Sequence, residues 1–353
     1  MTGPVAAQQP DHLLWGDTHL HTSMSADVYL FGTTDASHET AYRYARGWPV
    51  ISPVTRTRVQ IDRPLDFLVI ADHAEMLGTF QRLLEGNSDL SDTESGKALI
   101  DIVGDGGRDE LSAAYGFVLS TLFTKDADAA LTAGDLLDDL HGGDRRRPAW
   151  NHITRTADAF NEPGEFTALI GWEWSSMKNG SNLHRVVFTP DAAETAQQFL
   201  PFSQFESSDP EDLWRWLDET QATTGARFVA IPHNPNISDG RMFPMVRENG
   251  EPVGRSYALA RMRWEPVAEM TQIKGDSETF PTLSPDDPWS DFERWRFILT
   301  PDGRIAAPSE GDYLRSALRR GLQLEQQFGV NPYQTGMIGS TDAHTGLPSA
   351  RED

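Results

Sequence analysis

Ten histidines are spread over the 353 residues, and six of them stand where imidazole could do chemistry. His19 and His21 form a His-x-His pair, so on an extended strand both rings face one side, as two ligands of one metal do. Asp342-Ala343-His344 repeats that alternation near the far end of the chain. His73 follows Asp72, Glu173 sits between Trp172 and Trp174, and His184 and His233 belong to two further apolar runs. One strand-end histidine is ordinary structure. Six of them, with carboxylates, on so many separate runs read as a metal site. Imidazole and carboxylate ligands suit Zn²⁺, Mn²⁺ or Fe²⁺ rather than Ca²⁺, which prefers all-oxygen sites. The ligands outnumber what one tetrahedral ion uses, so two or three divalent transition-metal ions are expected.

Seven apolar runs bounded by turn residues must position these groups, and each reads as a buried strand. They are Leu13–Thr22, Asp66–His73, Phe166–Trp174, Asn182–Thr189, Arg227–His233, Pro266–Lys274 and Gly336–His344. Polar and ionisable residues crowd toward their C-terminal ends, with Asn182–Thr189 as the exception. That is the pattern of an α/β fold in which a parallel barrel carries its chemistry at one mouth. Helices are expected over Ser208–Thr220, with Pro210 in the first turn, and over Asp312–Phe328. Residues 76–165 are too long for a simple crossover and predict a mostly helical insertion between the second and third strands. Asp239–Val253 and Phe280–Arg304 are loops expected as lids near the mouth. The whole chain, residues 1–353, reads as a single domain. It stops nine residues after His344, too few for a helix over the last strand. It therefore reads as cut short, or as covered there by something else.

Composition removes several classes of function. With 30 Lys and Arg against 53 Asp and Glu, the net charge is −23. A surface gripping a nucleic acid needs clustered bases, so none is expected. The one dense basic run, Arg145–Arg147, reads as a solvated loop. Cysteine is absent, which excludes disulfides, thiolate metal sites and a Cys nucleophile. A hydrophobic fraction of 38% with 10% aromatics excludes wholesale disorder. No stretch approaches the roughly 18 apolar residues of a membrane span. The first residues have neither the basic nor the apolar run of a signal peptide, which leaves cytoplasm and periplasm both open. The oligomeric state is not legible.

The segment Gly16-Asp17-Thr18-His19-Leu20-His21-Thr22, then Asp72-His73, His233 and Asp342-Ala343-His344, resembles the PHP (polymerase and histidinol phosphatase) superfamily in that order. More narrowly, RPLDFLVIADHAEMLG, NLHRVVF, IPHNPNISDGRMF, QIKGDSETFPTLSP and GMIGSTDAHTG resemble a large PHP-like branch known only as a domain of unknown function. Members of that branch continue well beyond the DAHTG motif, so the early stop departs from its pattern. The resemblance implies a distorted seven-stranded (β/α) barrel of PHP type and metal-dependent hydrolysis, usually of phosphate esters. It also implies a ligand set. His19 and His21 match its first motif and Asp27 a further ligand; His73 matches the second, Glu173 the carboxylate bridging two metals, and His184 the histidine after it. His233 matches the third motif, and Asp342 and His344 the fourth.

The expected reaction is attack by a metal-bridged hydroxide on phosphate mono- or diesters of small molecules, with phosphonate or sulfate esters as relatives. Two alternatives stay open: hydrolysis of a non-phosphate bond, amide or lactone, and a non-catalytic protein that binds metal or ligand. The expected partner is a small anionic substrate. Three divalent ions against Asp27, Glu173, Asp342 and one hydroxide leave a local charge of roughly +2, so an acidic protein can hold an anion there. Lys274 either contacts a substrate oxyanion or pairs with Asp276 or Glu278. Arg241 is a second oxyanion candidate, and Arg185 is expected in a structural ion pair. Asp72 is expected to orient a ligating histidine. Glu75 either does the same or protonates a leaving group, and Asn234 is expected to hydrogen-bond substrate. His12, His38, His141 and His152 fall outside the pattern and read as surface or structural.

Overall fold

The computed structural model describes residues 13–123, 131–298, 304–305 and 307–348. His12, part of the insertion, part of the Phe280–Arg304 loop and residues 349–353 lie outside the described residues. Each of the seven apolar runs contains a strand: β1 (Gly16–Leu20), β2 (Phe67–Ile70), β3 (Thr167–Trp174), β4 (Arg185–Thr189), β5 (Val229–Pro232), β6 (Val267–Gln272) and β7 (Gly336–Gly339).

They do not build the expected closed seven-stranded (β/α) barrel of PHP type. Strands β1 to β5 form one mixed sheet in sequential order, a half-barrel. Strands β6 and β7 pair in parallel in a second sheet, where Gly275–Asp276 adds an antiparallel edge to β6. Among the described residues no ladder joins β5 to β6, and the chain after β7 meets β1 through the single bridge Leu20↔Ala343.

The break with the barrel has a local cause. A parallel crossover needs a dozen or more residues, usually a helix. Only residues 175–184 separate β3 from β4, and they hold nothing longer than the 3₁₀ turn Lys178–Gly180. The chain therefore turns back, and β4 runs antiparallel to both neighbours, in the registers Trp174↔Arg185 and Arg185↔Pro232. This reversal brings the start of β4 to the end of the sheet where β3 and β5 finish. His184 accordingly lies beside His233, whose backbone N–H donates to the His184 carbonyl at 3.4 Å.

The core packs behind that sheet. Trp150, Trp172, Phe199, Trp216 and Phe228 meet with ring centroids 5.3–6.0 Å apart, in mostly edge-on or tilted contacts. Trp172 and Trp174, flanking Glu173, are fully buried and donate their indole N–H groups to the Phe202 and Ser207 carbonyls. They are scaffold. Between β2 and β3 the described residues hold six helices, from Thr79–Leu84 to Arg147–Phe160, with an apolar cluster of their own around Leu83, Leu99 and Leu136. Arg146 departs from the expected solvated loop, because it is buried and donates to the Pro201 carbonyl at 2.7 Å and to Glu206 at 2.9 Å. Helices also form over Pro210–Thr224 and Leu314–Phe328, the first capped by Asp209, which accepts from the Glu211 N–H at 2.9 Å. Among the described residues no helix is long and apolar enough to cross a membrane.

Candidate metal centre

Two strand ends are tied together before any ligand is placed. The buried Asp17 carboxylate accepts from the His19 N–H at 2.9 Å and from the Thr341 hydroxyl at 2.5 Å. His21 N–H donates to the Ala343 carbonyl at 3.0 Å. The His-x-His pair of β1 and the Asp-x-His pair after β7 thus share one anchor. Asp342 has φ +50° and Asn234, after β5, has φ +51°, a left-handed conformation that Asp and Asn tolerate better than most residues.

Four acceptor atoms converge from these ends. His19 Nε2 lies 3.1 Å from His21 Nε2, 3.2 Å from Glu173 Oε2 and 3.4 Å from Asp342 Oδ1. His21 Nε2 lies 3.1 Å from both carboxylate oxygens. A tetrahedral ion with His and carboxylate bonds near 2.1 Å holds its ligands about 3.4 Å apart. The quartet fits one cation. On one side, Asp27 Oδ2 lies 3.3 Å from His73 Nε2 and 2.9 Å from His344 Nε2, and His21, His73 and His344 form a second group of donors. On the other, Glu173 Oε1 lies 2.5 Å from His184 Nδ1 and 3.3 Å from His233 Nε2, a third group. Glu173 therefore turns one oxygen to each side. Eight of the nine expected ligands belong to groups that could hold a metal ion, and Asp27 joins them through His73 and His344.

The hydrogen bonds around the rings decide which nitrogen is free. A carboxylate or carbonyl can only accept, so the nitrogen facing it carries the proton. His19 Nδ1 faces Glu269, 3.0 Å away, and His344 Nδ1 faces the Asp342 carbonyl at 2.8 Å. His21 Nδ1 meets Ser25 Oγ at 3.0 Å, and Ser25 gives its one proton to Asp72 at 2.9 Å, so Ser25 accepts from His21. His73 Nδ1 meets Ser175 Oγ at 2.5 Å, and Ser175 donates to Glu173 Oε1 at 3.1 Å, so it accepts from His73. Four histidines thereby have an acceptor for the Nδ1 proton, so that each, in its neutral form, keeps the Nε2 lone pair for a cation. On the Glu173 Oε1 side, His184 Nε2 and both ring nitrogens of His233 are buried without a hydrogen-bond partner, as is Asp342 Oδ1. Buried polar atoms left without a partner in this way are what a metal site shows before a cation is counted.

Protonation follows the same division. Burial opposes a charge on His19, but Glu269 and Asp342 outweigh it and hold the imidazolium well above its ordinary range. His73 and His344 are raised against burial by Glu173 and Asp27. Burial pushes His184 down to about 4 and lowers His233, which the neighbouring His19 also disfavours charging. Asp27, Glu173 and Asp342 are held well below the usual carboxylate range against burial, by His344, by His73 and by Lys274 respectively.

The remaining expected residues divide. Lys274 pairs with Asp342 Oδ2, not with Asp276 or Glu278, and Gln272 donates to the same oxygen. Glu75 is beside the centre, accepting from the Gln204 N–H at 2.7 Å and the Ser175 N–H at 3.4 Å, and burial raises its carboxyl. Asp72 touches no ligating ring and acts through Ser25. Arg241 is not brought in; it donates to the Lys178 carbonyl at 3.1 Å and lies 3.7 Å from Glu248. Arg185 pairs with buried Glu265 at 2.9 Å. His38 lies against Thr22 and Asp72, His141 accepts from the Met76 N–H, and His152 is half-exposed near Glu39. Glu269, Ser25, Ser175 and Gln272 were not anticipated. Glu269 alone left a trace, a carboxylate inside the otherwise apolar start of β6.

The sequence profile of the family described as "Protein of unknown function (DUF3604)" matches residues 8–353. The chain belongs to that family. No curated protein and no solved structure matches it.

Proposed function

We propose that the protein is a metal-dependent hydrolase of phosphate mono- or diesters of small molecules, with two or three Zn²⁺, Mn²⁺ or Fe²⁺ ions in the centre. What supports this most is one observation: Glu173 presents Oε2 to His19 and His21 and Oε1 to His184 and His233, so adjacent ions can share it. His73, His344 and Asp27 would hold one ion, His19, His21, Glu173 and Asp342 another, and Glu173, His184 and His233 a third; the one Nε2 lone pair of His21 serves a single ion. When bound, such ions polarise an ester and lower the pKa of water toward neutrality.

The chain's own residues then have distinct tasks. Lys274 is the ammonium at the centre, and its side chain is partly exposed while its partner Asp342 is buried, so it can also meet a substrate oxyanion. Glu75 keeps its proton more readily than an exposed glutamate and has one buried oxygen without a partner, which suits protonation of a leaving group. From the PHP resemblance we carry forward the chemistry and not the barrel.

Metal analysis by mass spectrometry after metal-replete expression tests the reading, together with turnover of a p-nitrophenyl phosphodiester. Two or three ions per chain are expected, with turnover abolished by chelation and by His19→Ala. Less than one ion per chain would sink the cluster. Full metal content without hydrolysis of phosphate, phosphonate or sulfate esters would sink the reaction.

A further inference from the structure

Beside the centre, on the β4–β5 side, lies polar chemistry that neither metal binding nor folding uses. Asn234 is 1% exposed, and neither its Nδ2 nor its Oδ1 has a hydrogen-bond partner. Asn182 is fully buried; its Oδ1 accepts from the His184 N–H at 3.0 Å, while its Nδ2 has no partner. The fully buried Ser181 hydroxyl is likewise unpaired. The two asparagines are brought together by the backbone. Arg185 pairs with Pro232, which sets His184 beside His233, and the Asn182 N–H donates at 3.0 Å to Ile237, in the turn that Asn234 begins. Each asparagine is thus within two residues of a ligand, His184 or His233. A buried amide left unpaired costs stability, and hydrophobic packing would have served folding better there.

The chemistry of these atoms selects a partner. The anionic part of a substrate has its complement in Lys274, which pairs with Asp342 at the centre. An amide oxygen facing an anion would be repelled, whereas Asn234 offers a free donor and a free acceptor together. A hydroxyl both donates and accepts, and so satisfies both. We propose that Asn182 and Asn234 form a neutral subsite for the hydroxyl-bearing alcohol part of the substrate, which is therefore a phosphate ester of a polyol or sugar. This rests on the phosphoester reading above.

Calorimetric titration of the metal-loaded full-length protein with glycerol 3-phosphate and with inorganic phosphate tests it. The parent is expected to bind glycerol 3-phosphate about tenfold more tightly, one or two neutral hydrogen bonds' worth. Asn182→Ala and Asn234→Gly should each bring the ratio toward one while metal content stays at the parent level. Glycine keeps the left-handed backbone that Asn234 adopts, so a preference that survives Asn234→Gly would show that the residue serves the turn only and would overturn the proposal. A parent without preference overturns it as well. If the preference is present but no phosphate, phosphonate or sulfate ester is hydrolysed, the hydrolase reading fails and the subsite stands; turnover without preference has the opposite meaning.

Discussion

The two sides of the centre use the same residue types and treat them differently. On the Asp27 side, His73 and His344 have side chains 17% and 23% exposed, and each has its Nδ1 proton directed to an acceptor. On the Glu173 Oε1 side, His184 and His233 are 7% and 1% exposed, and three of their four ring nitrogens have no hydrogen-bond partner. The electrostatics divide in the same way, since the outer rings hold protons and the inner ones resist them. An outer ligand set can exist with protons in place of a cation. The inner set has no such substitute, because His184 and His233 resist protons and Glu173 stays ionised. The inner side is therefore where a bound cation would contribute most to folding, and the outer side is where one could come and go.

Breaking the shared carboxylate should remove the difference altogether. Glu173→Gln keeps the shape and deletes the charge that faces His19, His21, His73, His184 and His233. We expect metal content to fall by more than half, on both sides, and the metal-free protein to lose on the order of 3 kcal/mol, the cost of breaking a buried ion pair. Metal analysis with urea unfolding in chelator measures both. A variant that keeps the parent's metal content would show that Glu173 does not join the two sides.

A subtler change should weigh more on the outer side than on the inner one, where Glu173 Oε1 loses only the Ser175 hydroxyl bond. Ser25 and Ser175 contact no metal in this scheme; each passes a proton on so that His21 or His73 keeps Nε2 free. In Ser175→Ala, His73 loses the acceptor that selects its tautomer, and outer-side affinity should fall about 10–100-fold, as for other partners of metal-bound histidine. Inner-side affinity should change far less. Competition with a chromophoric chelator resolves the two, and equal weakening of every ion would refute the relay.

Much of this centre was legible and some of it was not. His19, His21, His73, His233, Asp342 and His344 announce themselves because alternation and strand-end position are local properties of sequence. The strand positions were legible for the same reason. Barrel closure was not, because it depends on pairings such as β5 with β6 that no local pattern encodes. The reversal of β4 did leave a sign: its polar residues crowd the N-terminal end, which an antiparallel strand brings to the mouth. Ser25 and Ser175 were unreadable, since a serine suits any loop and its role here is a matter of which atom its single proton faces. Lys274 was legible as a site residue, but its partner Asp342 lies 68 positions away.

Acidification should sharpen the comparison with the smallest perturbation. A cation binding the outer side must displace the protons that Asp27 and Glu173 favour on His73 and His344. Because these groups are raised above their ordinary value of 6.5 when no cation is bound, protons compete already near neutrality, and occupancy falls as pH falls. His184 stays neutral until pH nears about 4, and Glu173, held well below its ordinary value of 4.5, stays ionised. No proton has to leave the inner side, so its ion should persist through the range in which the outer one is lost. Metal content after buffer exchange at stepped pH should therefore fall in two stages. His73→Ala should erase the earlier stage, and His184→Ala the later one. A single stage, or loss of the later ion in His73→Ala, would mean that the two sides titrate as one unit and that the division drawn from their protonation is wrong.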